Sequence, residues 1–426
     1  MHIDNSQSLP HMAIIRQSLA ARPLKCIGPE VRLQLDKVLN SKAINPGETV
    51  ALAVGSRKIH AIGEVAGSCA AWLQDKGLKP FLVPAMGSHG GATPQGQEQV
   101  LESLGIVQAC QGVPVQASME TKAIAALSCG APVHFSSEAL RADHLIVINR
   151  VKSHTKFKAP IQSGLCKMLC VGLGKHSGAA AMHRAGVRFG FSIIEEAAGM
   201  ILKKAPLLAG LALVEDGLGR LSQIRALAAE NLIDEEKKLL LKAQVMAPGI
   251  PFDELDLLIV DWIGKDISGI GMDSNVTGRH RDLSGDFFLP PNPKRIFVRD
   301  LSPGSGGNAN GIGLADFTTT RLVRAMDLKK TFVNSITAIS PEKAAIPLHF
   351  ESDRETLQAC LATTGLEDWS KARVVRIKST ADLEIIQAST ALRREAKANP
   401  RLEFESDFGP MDFDSHGNLG GFNEKK

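Results

Sequence analysis

The parts of this chain best equipped for chemistry are histidines and a lysine set among small residues. His89 lies in Gly87-Ser88-His89-Gly90-Gly91-Ala92-Thr93, directly after an apolar run at 80–84. His154 closes Asn149-Arg150-Val151-Lys152-Ser153-His154, after a second apolar run at 145–148. Lys167 and His176 follow in one stretch, Ser163-Gly164-Leu165-Cys166-Lys167-Met168-Leu169-Cys170-Val171-Gly172-Leu173-Gly174-Lys175-His176, which leads on to His183. Histidine titrates near neutrality and is the commonest metal ligand. Ligands in α/β proteins collect at the carboxyl ends of strands. The pattern therefore points to a site that combines proton transfer with a metal. Glycines beside His89 open the backbone to close approach, and the helix starting at Thr93-Pro94 offers amide donors to an anion. The basic segment 152–158 suits a phosphate or carboxylate pocket as well as a solvated surface.

Other chemistries lack support. Cys166 and Cys170 are spaced to share a helix face, but a zinc site usually needs a second such pair. Burial as small apolar residues suits both thiols better. Gly172-Leu173-Gly174 is too short for a dinucleotide fingerprint, and neither a phosphate loop nor a nucleophile elbow occurs. Tyrosine is absent, so it is neither acid nor base here. His60, His134, His144, His280 and His349 read as ordinary polar positions. Lys265, in Ile263-Gly264-Lys265-Asp266-Ile267-Ser268-Gly269, falls at the end of an expected strand, where it could hold a carboxylate or alkoxide or be an ordinary loop lysine.

These residues need elements to position them. Continuous apolar strands are expected at 49–54, 81–83, 145–148, 211–214, 257–260 and 295–298. Helices are expected at 59–75, with Gly77 at the C-terminal cap, and from Thr93-Pro94 to Leu104. Apolar strands separated by helices predict α/β architecture with mainly parallel sheets covered on both faces. A chain of 426 residues exceeds a typical single core, so two α/β domains are expected, with an interdomain active-site cleft. Turn residues at 247–251 set the boundary: a cofactor-binding domain over 1–250, a C-terminal α/β domain over 251–398, and a tail or strap over 399–426. The segment 302–311 reads as a loop. A net charge of +4 leaves no footprint for nucleic acid, and no apolar run is long enough to span a bilayer. The N-terminus lacks a signal-peptide pattern, and seven cysteines in so long a chain suit reduced thiols and a cytoplasmic setting. A homo-oligomer is compatible with all of this.

Taken in order, the residues resemble the nickel-dependent lactate racemase family of 2-hydroxyacid racemases and epimerases. The resemblance runs from Ser56-Arg57 through His89, His154, Lys167 and His183 to Lys265. It implies a nickel pincer nucleotide, a pyridinium-3-thioamide-5-thiocarboxylic acid mononucleotide. By that resemblance Lys167 anchors the cofactor and His183 completes the metal's coordination. His89 and His154 become the acid/base pair, while Arg57 and Lys265 engage the substrate, Arg57 also touching the cofactor. Gly87, Ser88, Gly90, Gly91 and Thr93 form the loop beside the cofactor. The chain departs from the family pattern beside Lys167, where Cys166 and Met168 replace a glycine–arginine run. It departs again near Arg57, where Val54 occupies the region of an expected aspartate. These departures imply a small 2-hydroxy acid other than lactate as the substrate. Two other readings of the same residues are a noncatalytic cofactor-binding relative and a metal-dependent hydrolase or lyase.

Overall fold

The computed structural model describes residues 7–40, 42 and 44–422, which divide into two compact α/β units with mainly parallel sheets. One unit is Ala20–Ala247; the other joins Met1–Leu19 to Pro248–Lys426. The first strand, β1 (Met12–Gln17), belongs to the second of these. That differs from an N-terminal domain running unbroken over 1–250, and pairing explains it. β1 carries buried Met12, Ala13 and Ile15, and these find partners only in strands near the other end of the sequence.

The Ala20–Ala247 unit holds β2 (Thr49–Val54), β3 (Lys79–Pro84), a hairpin of β4 (Thr121–Ala126) and β5 (Pro132–Ser136), then β6 (His144–Arg150), β7 (Leu207–Glu215) and β8 (Leu221–Leu227). Its main sheet has the order β3-β2-β6-β7-β8, parallel except for the β8 edge. Side chains alternate across a strand, and here both faces are covered. Ala51, Ala53, Leu145 and Val147 enter one core, while Val50, Leu52, Val54, Ile146 and Ile148 enter the other. That is why these strands read as unbroken apolar runs. The expected helix at 59–75 is observed as Ile62–Asp75, and Gly77 follows it with φ +77°. Thr93 caps the helix Pro94–Ser103, its Oγ1 accepting from the Gly96 amide.

β2 is the first strand of its sheet, and its neighbours lie on opposite sides, β3 on one and β6 on the other. The connections thus leave in opposite directions beside β2. Such a reversal opens a crevice at the carboxyl ends of the strands. Arg57, His89 and His154 are in the segments that follow β2, β3 and β6 respectively.

The other unit contains β9 (Leu255–Ile263), a short pair of β10 (Arg279–His280) and β11 (Phe287–Phe288), then β12 (Pro293–Leu301), β13 (Phe317–Thr319), β14 (Leu348–Phe350), β15 (Val374–Ser379), β16 (Asp382–Ser389) and β17 (Leu402–Phe404). Its sheet runs β14-β13-β12-β9-β15-β16-β1-β17. β1 pairs antiparallel with β16 on one side and with β17 on the other. Residues beyond Asn399 therefore contribute an edge strand before they become a strap. The strap is held by buried ions: Arg299 donates to the Leu419 carbonyl at 2.9 Å, and the Leu419 amide donates to Asp353 at 2.9 Å. Arg376 donates to the Gly420 carbonyl at 2.9 Å. No helix among the described residues is long and apolar enough to cross a membrane.

Candidate active site

The lysine segment is built first. The helix Leu165–Lys167 passes straight into a π-helical turn, Met168–Gly172, and then into the helix Lys175–Phe189. A π-turn is rare and often marks a functional position. Its start is tied from two sides. Asn149, near the end of β6, donates to the Gly164 carbonyl at 2.8 Å. Glu236, buried on the helix Leu232–Met246, accepts the Cys166 amide at 2.9 Å. Burial pushes the Glu236 carboxyl up to about 7, against the pull of the amides it accepts. A Cβ at Gly164 would meet the Glu236 carboxylate and force it to shift. Cys166 and Cys170 are both buried, and burial raises both thiols.

His154 comes in on a loop closed at its base by Lys152 and Ser163, which exchange backbone hydrogen bonds of 2.9 and 3.2 Å. Inside that loop the His154 amide donates to Gln162 Oε1 at 2.8 Å. The imidazole stacks on Phe157, ring centroids 4.2 Å apart, and Phe157 stacks on Phe191 at 4.1 Å. Nε2 of His154 lies 2.6 Å from Lys167 Nζ. Nδ1 of the same ring accepts the Lys156 amide at 3.1 Å.

The ring is thus engaged at both nitrogens, by the Lys156 amide and by the Lys167 amine. Burial, and then the charge of Arg57, lower the Lys167 amine to about 8, within reach of physiological pH. His183 lines the same small pocket, together with His154, Phe157, Lys167, Met182 and Phe191. Burial, followed by the charges of Lys167 and Lys156, lowers His183 to about 4. Its imidazole is therefore neutral and can offer a lone pair. Among the described residues no three His, Cys, Asp or Glu side chains come together as a metal site.

The structure thus brings His154, Lys167 and His183 together, with Arg57 in electrostatic reach of Lys167. His89 is not in the lining of that pocket; its Nδ1 lies 2.5 Å from the hydroxyl of Ser56, the neighbour of Arg57. Its loop rests on the lysine segment, the Gly87 amide donating to the Gly172 carbonyl at 3.0 Å. Ser88 is exposed. Gly90 and Gly91 form a tight turn with φ +64° and +66°, and Thr93 is engaged as a helix cap. Lys265 is in the other unit, just past β9, where its Nζ donates to the Gly269 carbonyl at 2.5 Å.

The sequence profile of a family described as a domain of unknown function (DUF362) matches residues 60–263. That span contains His89, His154, Lys167 and His183; Arg57 and Lys265 fall just outside it. Among solved structures, the lactate racemase apoprotein from Thermoanaerobacterium thermosaccharolyticum is similar at 12% identity with a TM-score of 0.46, over 79% of this chain and 93% of that one. No curated protein matches.

Sequence reasoning missed four residues that shape the site. Glu236 and Asn149 hold the lysine segment, while Lys175 and Gln97 are buried beneath the His89 loop. Lys175 carried a signal, since a lysine directly after Gly172-Leu173-Gly174 is an unusual helix start. Gln97 carried none, because a glutamine inside a helix is ordinary.

Proposed function

We propose that this protein is a 2-hydroxyacid racemase or epimerase that inverts C2 by reversible hydride transfer, using a nickel pincer nucleotide. The observation that carries this reading is the buried Lys167 amine, 2.6 Å from His154 Nε2 in a pocket that His183 also lines. A bare metal ion would need several protein ligands, and the described residues do not assemble them. A metal arriving already gripped by an organic group needs less: one nucleophilic anchor and one imidazole. The donor set fits such a group. Lys167 would hold it covalently and His183 would ligate its metal, in the deprotonated form that coordination requires. When bound, the nickel pincer nucleotide supplies a hydride acceptor.

The remaining work falls to the chain. With Lys167 engaged by that group, His154 would turn Nε2 to the substrate. His154 and His89 would then exchange the hydroxyl proton of the 2-hydroxy acid, one as base and the other as acid. The Ser56 hydroxyl would hold the ring of His89 in place. Arg57 would orient the carboxylate, and Lys265 would neutralise the developing alkoxide. The stacked Phe157 and Phe191 would keep water from the imidazole of His154.

The test uses protein made in a host that supplies the cofactor. Intact mass should show an adduct lost in Lys167→Ala, with nickel bound to the wild type. Substrate deuterated at C2 should keep its label through inversion. Rapid exchange of that deuterium with water would mean proton abstraction and overturn the hydride route.

A further inference from the structure

We propose that Lys175 and Gln97 form a buried relay whose role is to set the position of His89. Lys175 is fully buried, yet it begins the helix Lys175–Phe189 with φ +53°. Three unfavourable features meet there. The left-handed conformation strains a side chain with a Cβ. Burial penalises an ammonium. A helix N-terminus already carries positive partial charge. A shorter polar residue or a glycine would suit the backbone better, so the reason for lysine lies in where its amine ends.

The amine ends on two acceptors. Nζ donates to the Pro84 carbonyl at the end of β3 and to Gln97 Oε1 at 3.1 Å. As an ammonium Lys175 has donors only, so it turns the oxygen of Gln97 toward itself. The amide nitrogen must then face the other way. There it donates to the Gly87 carbonyl at 2.8 Å and to the His89 carbonyl at 3.3 Å. Gln97 is itself fully buried, and its bond to the Gly87 carbonyl is buried with it. The lysine thus orients the amide, and the amide holds both shoulders of the histidine loop. The chain of contacts ends at the ring, where His89 Nδ1 meets Ser56 Oγ at 2.5 Å. Neither residue touches the reacting atoms in the proposed reaction; both act through His89. The inference rests on the reading of His89 as acid or base for its purpose, but the relay itself is testable without any substrate.

Gln97→Glu tests the amide nitrogen. The carboxylate keeps an oxygen for Lys175 and adds an ion pair, which offsets part of the cost of the bonds lost. It places a second oxygen against the carbonyls of Gly87 and His89, so the loop should lose its hold. In protein with labelled histidine, the ring nitrogen signals of His89 should shift from their wild-type positions, as they should in Ser56→Ala. Amide exchange across 85–93 should quicken by about tenfold, the worth of one typical hydrogen bond. Wild-type His89 signals and wild-type exchange in Gln97→Glu would overturn the proposal. A second measurement needs no variant: the side-chain amide protons of Gln97 in the wild type should resist solvent exchange, and fast exchange would equally overturn it. Loss of racemisation in His89→Ala bears on the functional reading alone, so the two failures are distinguishable.

Discussion

In the proposed reaction Lys167 is the anchoring residue, and its ionisation gives a direct prediction. The folded amine titrates at about 8 against an ordinary value of 10.5. Between those limits the unfolded chain holds a proton that the folded chain does not, so folding stability should rise with pH across this window. Lys175 adds a contribution of the same sign, its amine also lowered to about 8 by burial. Urea unfolding between pH 8 and 10.5 should therefore show a steeper rise in wild type than in Lys167→Met; equal slopes would mean that Lys167 titrates normally. Glu236 acts in the opposite direction. Its carboxyl is raised from 4.5 to about 7, so its stabilising effect is present at low pH and is lost as pH rises through 7. Glu236→Gln should flatten that fall. His183→Ala should leave the fold intact and strip bound nickel, and wild-type nickel content in that variant would remove His183 from the coordination sphere. At this scale the sequence showed which side chains could react, because histidine and lysine beside glycine are visible in any order. It could not show the pairing of His154 with Lys167, since the Lys152–Ser163 closure that aims the ring is a tertiary event.

Close approach constrains the lysine segment at Gly164. Gly164 lies against Glu236, and its contact is with a carboxylate held in place by the Cys166 amide. Gly164→Ala should destabilise the protein by ~1–3 kcal/mol, as overpacking of a filled site does. Adding Glu236→Ala should recover part of the loss, giving a coupling of at least ~0.5 kcal/mol in a double-mutant cycle; strict additivity would separate the two residues. The strands were legible in the sequence because both faces of the parallel sheet are buried, which leaves apolar runs with no polar alternation. The π-turn at Met168–Gly172 was not. Its apolar residues fit an α-helix equally well, and only packing against Ala85 and Gly87 sets the wider turn.

For the whole molecule, the boundary near residue 247 was legible from Pro248, Gly249 and Pro251, whereas the membership of β1 was not. Six residues with alternating burial could edge any sheet, and pairing with β16 and β17 is decided by long-range register. The strap depends on Asp353, fully buried and bound by Arg299 and Arg321 at 2.6 Å each. Asp353→Ala leaves two arginines without their shared anion and should cost about 3–5 kcal/mol. Truncation after Asn399 should be milder in charge but broader in effect, since it removes β17 and uncovers the edge of β1. Thermal unfolding of both variants should show lower midpoints than wild type, and unchanged midpoints would make the strap dispensable.

The placement of β1 also carries a consequence for synthesis. Ribosomes extend chains at roughly 5–20 residues per second. Its antiparallel partners β16 and β17 begin at Asp382 and Leu402, so β1 would wait on the order of 20–80 s after emerging before either exists. During that interval Ala20–Ala247 has all of its own strands and can fold as a unit, while the apolar face of β1 stays uncovered. A stalled or prematurely terminated chain would then release a folded Ala20–Ala247 unit trailing an adhesive strand, which makes truncated products of this protein natural clients for holdase chaperones.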